Sequence, residues 1–208
     1  MLSISRPDIS VNEILDTSCR FIKFPLTHYL KVLNVPEINN RTYIALINAL
    51  NSPKYRFICA ALSTTFDKNY IYNILTELII LKPESHVLVV SPKCILNTIS
   101  SKIKDKVSNH SNGSTVRMIT TLDSGVACST DLIIFEEAAL SKLSENVINT
   151  LLKPVLDKSG GKVVFISTPQ GKDNWFYRFY QRGFSSETNE WCSIHADWAE
   201  SDKVRSIN

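Results

Sequence analysis

Four short runs of this sequence, Arg56 to Leu62, His86 to Ser91, Leu132 to Phe135 and Val163 to Ile166, are apolar almost throughout rather than at alternate positions. A strand that is apolar on both faces has to be covered on both faces, which is the situation of a parallel sheet lying between helices. Between these runs stand stretches with helical spacing. Tyr43, Ile44, Leu46, Ile47 and Leu50 form a stripe that ends at the turn signal Asn51-Ser52-Pro53. Ile71, Ile74, Leu75, Leu78 and Ile79 follow a helical period from near Lys68 to Pro83, and a further helix is expected from about Ile95 to Val107. Leu140, Leu143, Val147, Leu151 and Leu152 predict another, stopped near Pro154, and Gly160-Gly161 then turns the chain. Thr115 to Ile119 alternates as a half-exposed strand does, and Trp191 to His195 reads as a short last strand. Strands alternating with helices imply an α/β fold, with a mainly parallel sheet sandwiched by helices.

The size agrees with one domain: 208 residues, 44% of them hydrophobic and 21% charged, can bury a full core. Residues 1–40 read as an amino-terminal arm, with a short helix capped by Asp8 or Ser10 and broken at Phe21-Ile22-Lys23-Phe24-Pro25. Residues 41–183 form the main domain. Residues 184–208 read as a polar tail anchored by Trp191, Ile194 and Trp198. No apolar run approaches the roughly 20 residues of a membrane span, and the first residues lack the apolar core of a signal peptide, so a cytosolic protein is expected. The five cysteines are scattered without a CxxC or Cys/His pairing, which favours small buried hydrophobes over a zinc site or a disulfide framework. A formal charge of +3 is too small to establish nucleic-acid binding and does not oppose it.

The chemistry concentrates where strands end. In open parallel sheets ligands gather at the carboxyl ends of the strands, and Leu62, Ser91, Glu136 and Ser167 mark four such ends. Asp131-Leu132-Ile133-Ile134-Phe135-Glu136-Glu137-Ala138-Ala139 is an apolar strand tipped by two adjacent acids, the pattern of a Walker B motif. The first acid can hold a magnesium ion through its waters and the second can polarise a water for attack on a γ-phosphate. The plainer alternative is a core strand that ends in surface acids. Upstream, the strand ending at Leu62, the polar loop Ser63-Thr64-Thr65-Phe66-Asp67 and the helix from Lys68 have the frame of a phosphate-binding loop.

Leu132 to Leu140 taken together with Phe165-Ile166-Ser167-Thr168-Pro169-Gln170-Gly171-Lys172-Asp173-Asn174-Trp175-Phe176-Tyr177 resembles the large terminase subunit of tailed bacteriophages, the ATPase motor that packs DNA into the prohead. The second motif is similar to that family's coupling motif, and His86 to Pro92 is similar to the strand after its phosphate-loop helix. The likeness covers roughly residues 41–183. It implies a P-loop fold, ATP and Mg2+ as ligands, and double-stranded DNA, the portal protein and the small terminase subunit as partners. It further implies a homo-oligomeric ring during packaging, in the host cytoplasm and with no membrane. The family's ATPase domain is usually followed by a ribonuclease-H-type nuclease domain, whereas this sequence stops at Asn208, so the resemblance extends to the motor half only.

Carried onto this sequence, the resemblance makes Glu136 the metal-positioning acid, Glu137 the catalytic base and Thr168 the γ-phosphate sensor. It assigns Ser63, Thr64, Thr65, Phe66, Asp67, Lys68 and Asn69 to the phosphate loop, with Asn69 also toward the metal, and Tyr43 and Gln170 to nucleotide contact. Glu137 can alternatively serve as a helix-start acid complementing a macrodipole, and Tyr43 as a core tyrosine. The aromatics Trp175, Phe176, Tyr177, Phe179 and Tyr180 either stack on DNA or pack a helix against the sheet, leaving Arg178 and Arg182 facing outward. The loop departs from the family's pattern: Asp67 stands where glycine is usual, Asn69 where Ser or Thr is usual, and Glu136 replaces Asp. Asp67 adds charge and a side chain beside the anion, and Asn69 removes a hydroxyl ligand. The alternative function is therefore a catalytically degenerate relative acting as a protein- or DNA-binding module. Asp67→Gly combined with Asn69→Thr should tighten nucleotide binding. Unchanged affinity for a labelled ATP analogue in the double variant would mean that this loop does not cradle phosphate.

Overall fold

The computed structural model describes residues 41–63, 83–91, 113–119, 130–141, 145–185 and 190–195. Within them lie β1 (Phe57–Ala61), β2 (His86–Val90), β3 (Thr115–Ile119), β4 (Leu132–Glu136), β5 (Lys162–Ser167) and β6 (Trp191–His195). They form one sheet in the order β3-β2-β4-β5-β1-β6. Every pairing is parallel, so the carboxyl ends of all six strands lie along one rim. This is the α/β architecture that the two-sided apolar runs imply. Every residue of β1, β4 and β5 is buried, while the edge strand β3 exposes Thr115 and Arg117.

The helical elements are α1 (Arg41–Asn51), α2 (Glu145–Val147), a π-helical stretch (Ile148–Leu152), α3 (Lys153–Ser159) and α4 (Trp175–Arg182). One face of the sheet carries Phe57, Cys59, Leu88, Ile133, Phe135, Val163 and Phe165, packed against Ile148, Leu152, Leu156 and the aromatic side of α4. Phe165 is the hub. Its ring lies 5.1 Å from Phe135, 5.6 Å from Trp175, 6.0 Å from Phe179 and 6.4 Å from Trp191. Burying each such side chain contributes about 1.5–3 kcal/mol. The opposite face, including Ile58, Ala60, Val89, Ile134, Val164 and Ile166, is equally buried. There α1 lies against β1 and β6 and buries Leu46, Ile47 and Leu50. Lys162, one step out of phase with Val163, reaches α1 and donates to the carbonyls of Ala49 (3.1 Å) and Ser52. A buried ammonium is tolerable here because it meets the last carbonyls of a helix, where the macrodipole is negative.

Three expectations from the sequence need correction. The helix does not stop at Pro154: Val147 and Lys153 have right-handed helical dihedrals at the two junctions, so α2, the π stretch and α3 run on to Ser159. A proline interrupts a helix through its missing N–H and its clash with the carbonyl four residues back. Here it sits in the first turn of α3, directly after a π turn in which Lys153 N–H bonds Ile148 O, five residues back. The buried face of this helix is Ile148, Leu152 and Leu156, so of the expected stripe Leu152 is buried while Leu140 lies in a separate 3-10 turn at 60% exposure. Finally, Arg182 does not simply face outward. Its guanidinium lies 4.8 Å from the Phe179 ring centre and 5.4 Å from that of Trp191, and it pairs with Glu145. Arg178 is exposed, Trp175, Phe176 and Phe179 are buried in the core, and Tyr177 and Tyr180 are half-buried.

The arm at residues 1–40, the helices expected from Lys68 and from Ile95, the side chain of Tyr43, and Trp198 lie outside what is described. At the end of α4 the chain passes so close to β6 that a Cβ on Gly183 would stand 2.0 Å from Ser193 Oγ and 2.5 Å from its backbone N. Gly183→Ala should therefore cost about 1–3 kcal/mol through overpacking. An unchanged urea midpoint would show that α4 and β6 do not approach so closely.

Candidate functional site

The site is built on the rim where β2, β4, β5 and β1 end. In register, Val87 to Val90 of β2 face Leu132 to Phe135 of β4, which brings Ser91 level with Glu136. The Ser91 hydroxyl donates to Glu136 Oε2 at 2.7 Å, and the two residues are only 2% and 4% exposed. A carboxylate so deeply placed has to be met by donors, and this short bond supplies one. Ser91 is itself held, because its backbone N–H donates to Ile119 O of β3 at 3.1 Å.

Glu137 follows in the left-handed conformation, φ 47 and ψ 44, and heads a single 3-10 turn, Ala138–Leu140. For an L-residue other than glycine this conformation costs about 1–2 kcal/mol. It swings the chain out of the strand at the second acid. The element that Glu137 heads is a 3-10 turn of three residues, so for the helix-start alternative it offers only a short stack of peptide dipoles.

The turn after Glu137 is fastened to the end of β5. Ala139 N–H donates to Ser167 Oγ at 3.1 Å, and that hydroxyl donates to Thr168 O at 3.0 Å. Leu62 N–H, at the end of β1, donates to Ser167 O at 2.9 Å. Because β5 lies between β4 and β1, Ser167 and Thr168 separate the acids from Ser63, where the expected phosphate loop begins. Thr168 is partly buried, and Pro169, Gln170 and Gly171 are exposed. Gly171 takes φ 76, a conformation that suits glycine. Asn174 closes this loop: its Nδ2 donates to Gln170 O (2.8 Å) and Gly171 O (3.2 Å), and its Oδ1 accepts from Tyr177 N–H (2.9 Å) as the N-cap of α4. Trp175 Nε1 donates to Ser141 O at 3.0 Å, a second tie between α4 and the segment beyond the acids.

Of the residues singled out from the sequence, Glu136, Glu137, Thr168 and Ser63 thus stand on one rim. Gln170 lies on the exposed loop just beyond, and Tyr43 belongs to the first turn of α1. Thr64, Thr65, Phe66, Asp67, Lys68 and Asn69 lie outside the described residues. Sequence reading did not give a role to Ser91 or Asn174. An asparagine three residues before Tyr177, at the start of an aromatic helical stripe, is a capping signal that could have found the second. The first had no local signal, because its partner is 45 residues away.

A bound Mg2+ takes oxygen ligands, keeps several waters, and needs only one or two carboxylates when phosphates supply the rest. Glu136 fits that share. Among the described residues no group of three or more His, Cys, Asp or Glu could hold an ion. Burial pushes the Cys59 thiol well up, helped by the charge of nearby Cys192 and opposed by Arg182. Burial likewise raises Cys192, opposed by Lys162 and Lys54. Both therefore remain thiols at neutral pH, and neither is an activated nucleophile.

No family model matches the chain. In sequence it is 34% identical, over 224 residues and 98% of its length, to the large terminase subunit of Escherichia phage T5, of which it spans 50%. In structure it is similar to the large terminase ATPase domain of Thermus phage P74-26, with a TM-score of 0.59 and 16% identity over 88% of this chain and 90% of that one. A point mutant of that domain gives a TM-score of 0.63 at the same identity and coverage. The fold is therefore that seen in a terminase ATPase domain, and in sequence the chain is similar to a phage large terminase subunit, of which it spans about half the length.

Proposed function

We propose that this chain is the ATPase part of a viral DNA-packaging motor, binding ATP with Mg2+ and coupling its hydrolysis to movement of double-stranded DNA into a prohead. One observation carries the reading: a buried acid, a second acid on a left-handed turn, and a Ser-Thr strand end share one rim, with the turn after the acids hydrogen-bonded to Ser167. In this reading Lys68 and the loop from Ser63 to Asn69 hold the phosphates, and Tyr43 and Gln170 contact the nucleotide. Glu136 is the residue that would help to hold a Mg2+ ion, which when bound would supply charge neutralisation for the phosphates. Glu137 accepts a proton from the water that attacks the γ-phosphorus, so ADP and phosphate leave and the proton resides on the carboxylate. Thr168, joined through Ser167 to the turn after Glu137, reports the state of the γ-phosphate to α4 through Asn174 and Trp175.

DNA, a portal protein, a small terminase subunit and further copies of this chain in a ring are the partners of that role, acting in the host cytoplasm. No helix among the described residues is long and apolar enough to cross a membrane. Asp67 and Asn69 favour the competing reading of a relative that keeps the fold and has lost turnover. Equilibrium binding of a labelled ATP analogue with Mg2+ separates the two. Saturable binding that Lys68→Ala abolishes supports the motor, and no binding at millimolar nucleotide supports the non-enzymatic relative.

Glu137→Gln tests the chemistry. It keeps size and hydrogen bonding and removes the proton acceptor, so nucleotide should still bind while hydrolysis falls by a factor on the order of 100 or more. Turnover should be measured in the native and in the Asp67→Gly, Asn69→Thr backgrounds. Hydrolysis that survives Glu137→Gln would remove this residue from the mechanism.

A further inference from the structure

Glu136 is an acid at 4% exposure on a central strand, and its position therefore depends on its neighbours rather than on water. A glutamate has three side-chain torsions, and in the open each would be free to rotate. Here Oε2 is met at 2.7 Å by a hydroxyl that has one torsion of its own. The backbone bearing that hydroxyl is fixed on both sides: β2 pairs with β4 in register up to Val90 and Phe135, and Ser91 N–H continues the ladder to β3 by bonding Ile119 O. The acid is thus oriented from the neighbouring strand, on the side of β4 away from β5 and β1.

We propose that Ser91 is a positioning residue for Mg2+: its hydroxyl sets the direction of the Glu136 carboxylate, and thereby the affinity of the site for nucleotide-bound metal. This rests on the reading of Glu136 as the metal-positioning acid. It explains how a glutamate can serve there, since a long side chain gains the fixed geometry of a shorter one when its far end is tethered. A hydroxyl supporting a metal-positioning carboxylate from outside the coordination sphere acts as second partners do at other metal sites, where removing them weakens metal binding by about 10–100-fold. The match in depth argues for such a pairing, because the serine, at 2% exposure, is as enclosed as the acid it serves.

The test is a Mg2+ titration of fluorescently labelled ADP binding to the full chain, with parallel titrations in EDTA and thermal melts. Ser91→Ala should raise the Mg2+ concentration at half-saturation by about 10–100-fold, and nucleotide binding in EDTA should stay unchanged. Ser91→Thr, which retains the hydroxyl, should restore most of the metal affinity. In a Glu136→Asp background the shortened acid no longer reaches Ser91, so Ser91→Ala should add little further loss. A lowered melting temperature with an unmoved Mg2+ midpoint would overturn the proposal and leave Ser91 as a structural partner of a buried acid. So would a Mg2+ shift on Ser91→Ala that is equally large in the native and the Glu136→Asp backgrounds. If the wild type and the Asp67→Gly, Asn69→Thr variant both bind no labelled nucleotide with Mg2+, the motor reading itself fails and this assignment with it. Mg2+-dependent binding that ignores Ser91→Ala refutes this assignment alone.

Discussion

The accommodation of one buried carboxylate governs the rim of this sheet. β4 is enclosed on both faces by side chains that gain from leaving water, and it ends in a group that loses by doing so. A strand of this kind can terminate in Glu136 only where a neighbour supplies a donor, and the parallel register brings Ser91 there. The same enclosure limits solvent near the acid. Electrostatic interactions are stronger in such surroundings, so a charge fixed there acts on a nearby ion or phosphate more effectively than an exposed one.

Strand order converts this local arrangement into a site. Had β5 lain at an edge, its Ser167-Thr168 terminus would have stood apart from the acids. Placed between β4 and β1, it contacts both: Ser167 O receives the Leu62 N–H, and Ser167 Oγ receives the Ala139 N–H. One residue thereby touches the end of the strand leading into the expected phosphate loop and the turn that carries Glu137. Phe165, two residues earlier on β5, anchors the strand by stacking with Phe135 and meeting the rings of Trp175 and Phe179 on α4. A shift of β5 would therefore be felt at the rim and in α4 together, since a packed aromatic cluster transmits displacement rather than absorbing it.

The strands were legible because two-sided burial leaves a signature in consecutive residues: Phe57 to Leu62, Val87 to Val90, Leu132 to Phe135 and Val163 to Ile166 all lie where their apolar runs predicted. Their order in the sheet was not, because it depends on pairings such as Phe57 with Val163 and with Trp191, set by contacts distant in sequence. The helix over residues 145–159 runs past the stop that its sequence predicts, for a local reason. A proline normally ends the pattern, and nothing in Ile148 to Leu152 announces a π turn that carries the helix past it. The charge of Arg182 predicts an outward side chain, whereas its planar guanidinium lies over Phe179 and Trp191 and so belongs to the packing of α4. At the rim, the two acids and the Ser-Thr turn were legible as a motif. The Ser91 hydroxyl and the Asn174 closure were not, because each acquires its role only from partners brought by the fold.

Glu137 shows why the rim holds strain that the core does not. A left-handed glutamate is unfavourable by itself, and glycine would adopt the same turn without that cost. The conformation persists because the chain is held on both sides of it. Upstream, Glu136 is fixed by β4 and by Ser91; downstream, the Ala139 amide is fixed by Ser167, and the Ser141 carbonyl by Trp175. A short segment spanned by such constraints has few other paths, so the turn is over-determined. A glycine there would keep the path and lose the carboxylate. Glu84, in the exposed turn before β2 at the opposite end of the strands, takes the same left-handed conformation at φ 57, so what distinguishes Glu137 is its place beside a buried acid on the rim rather than its backbone alone.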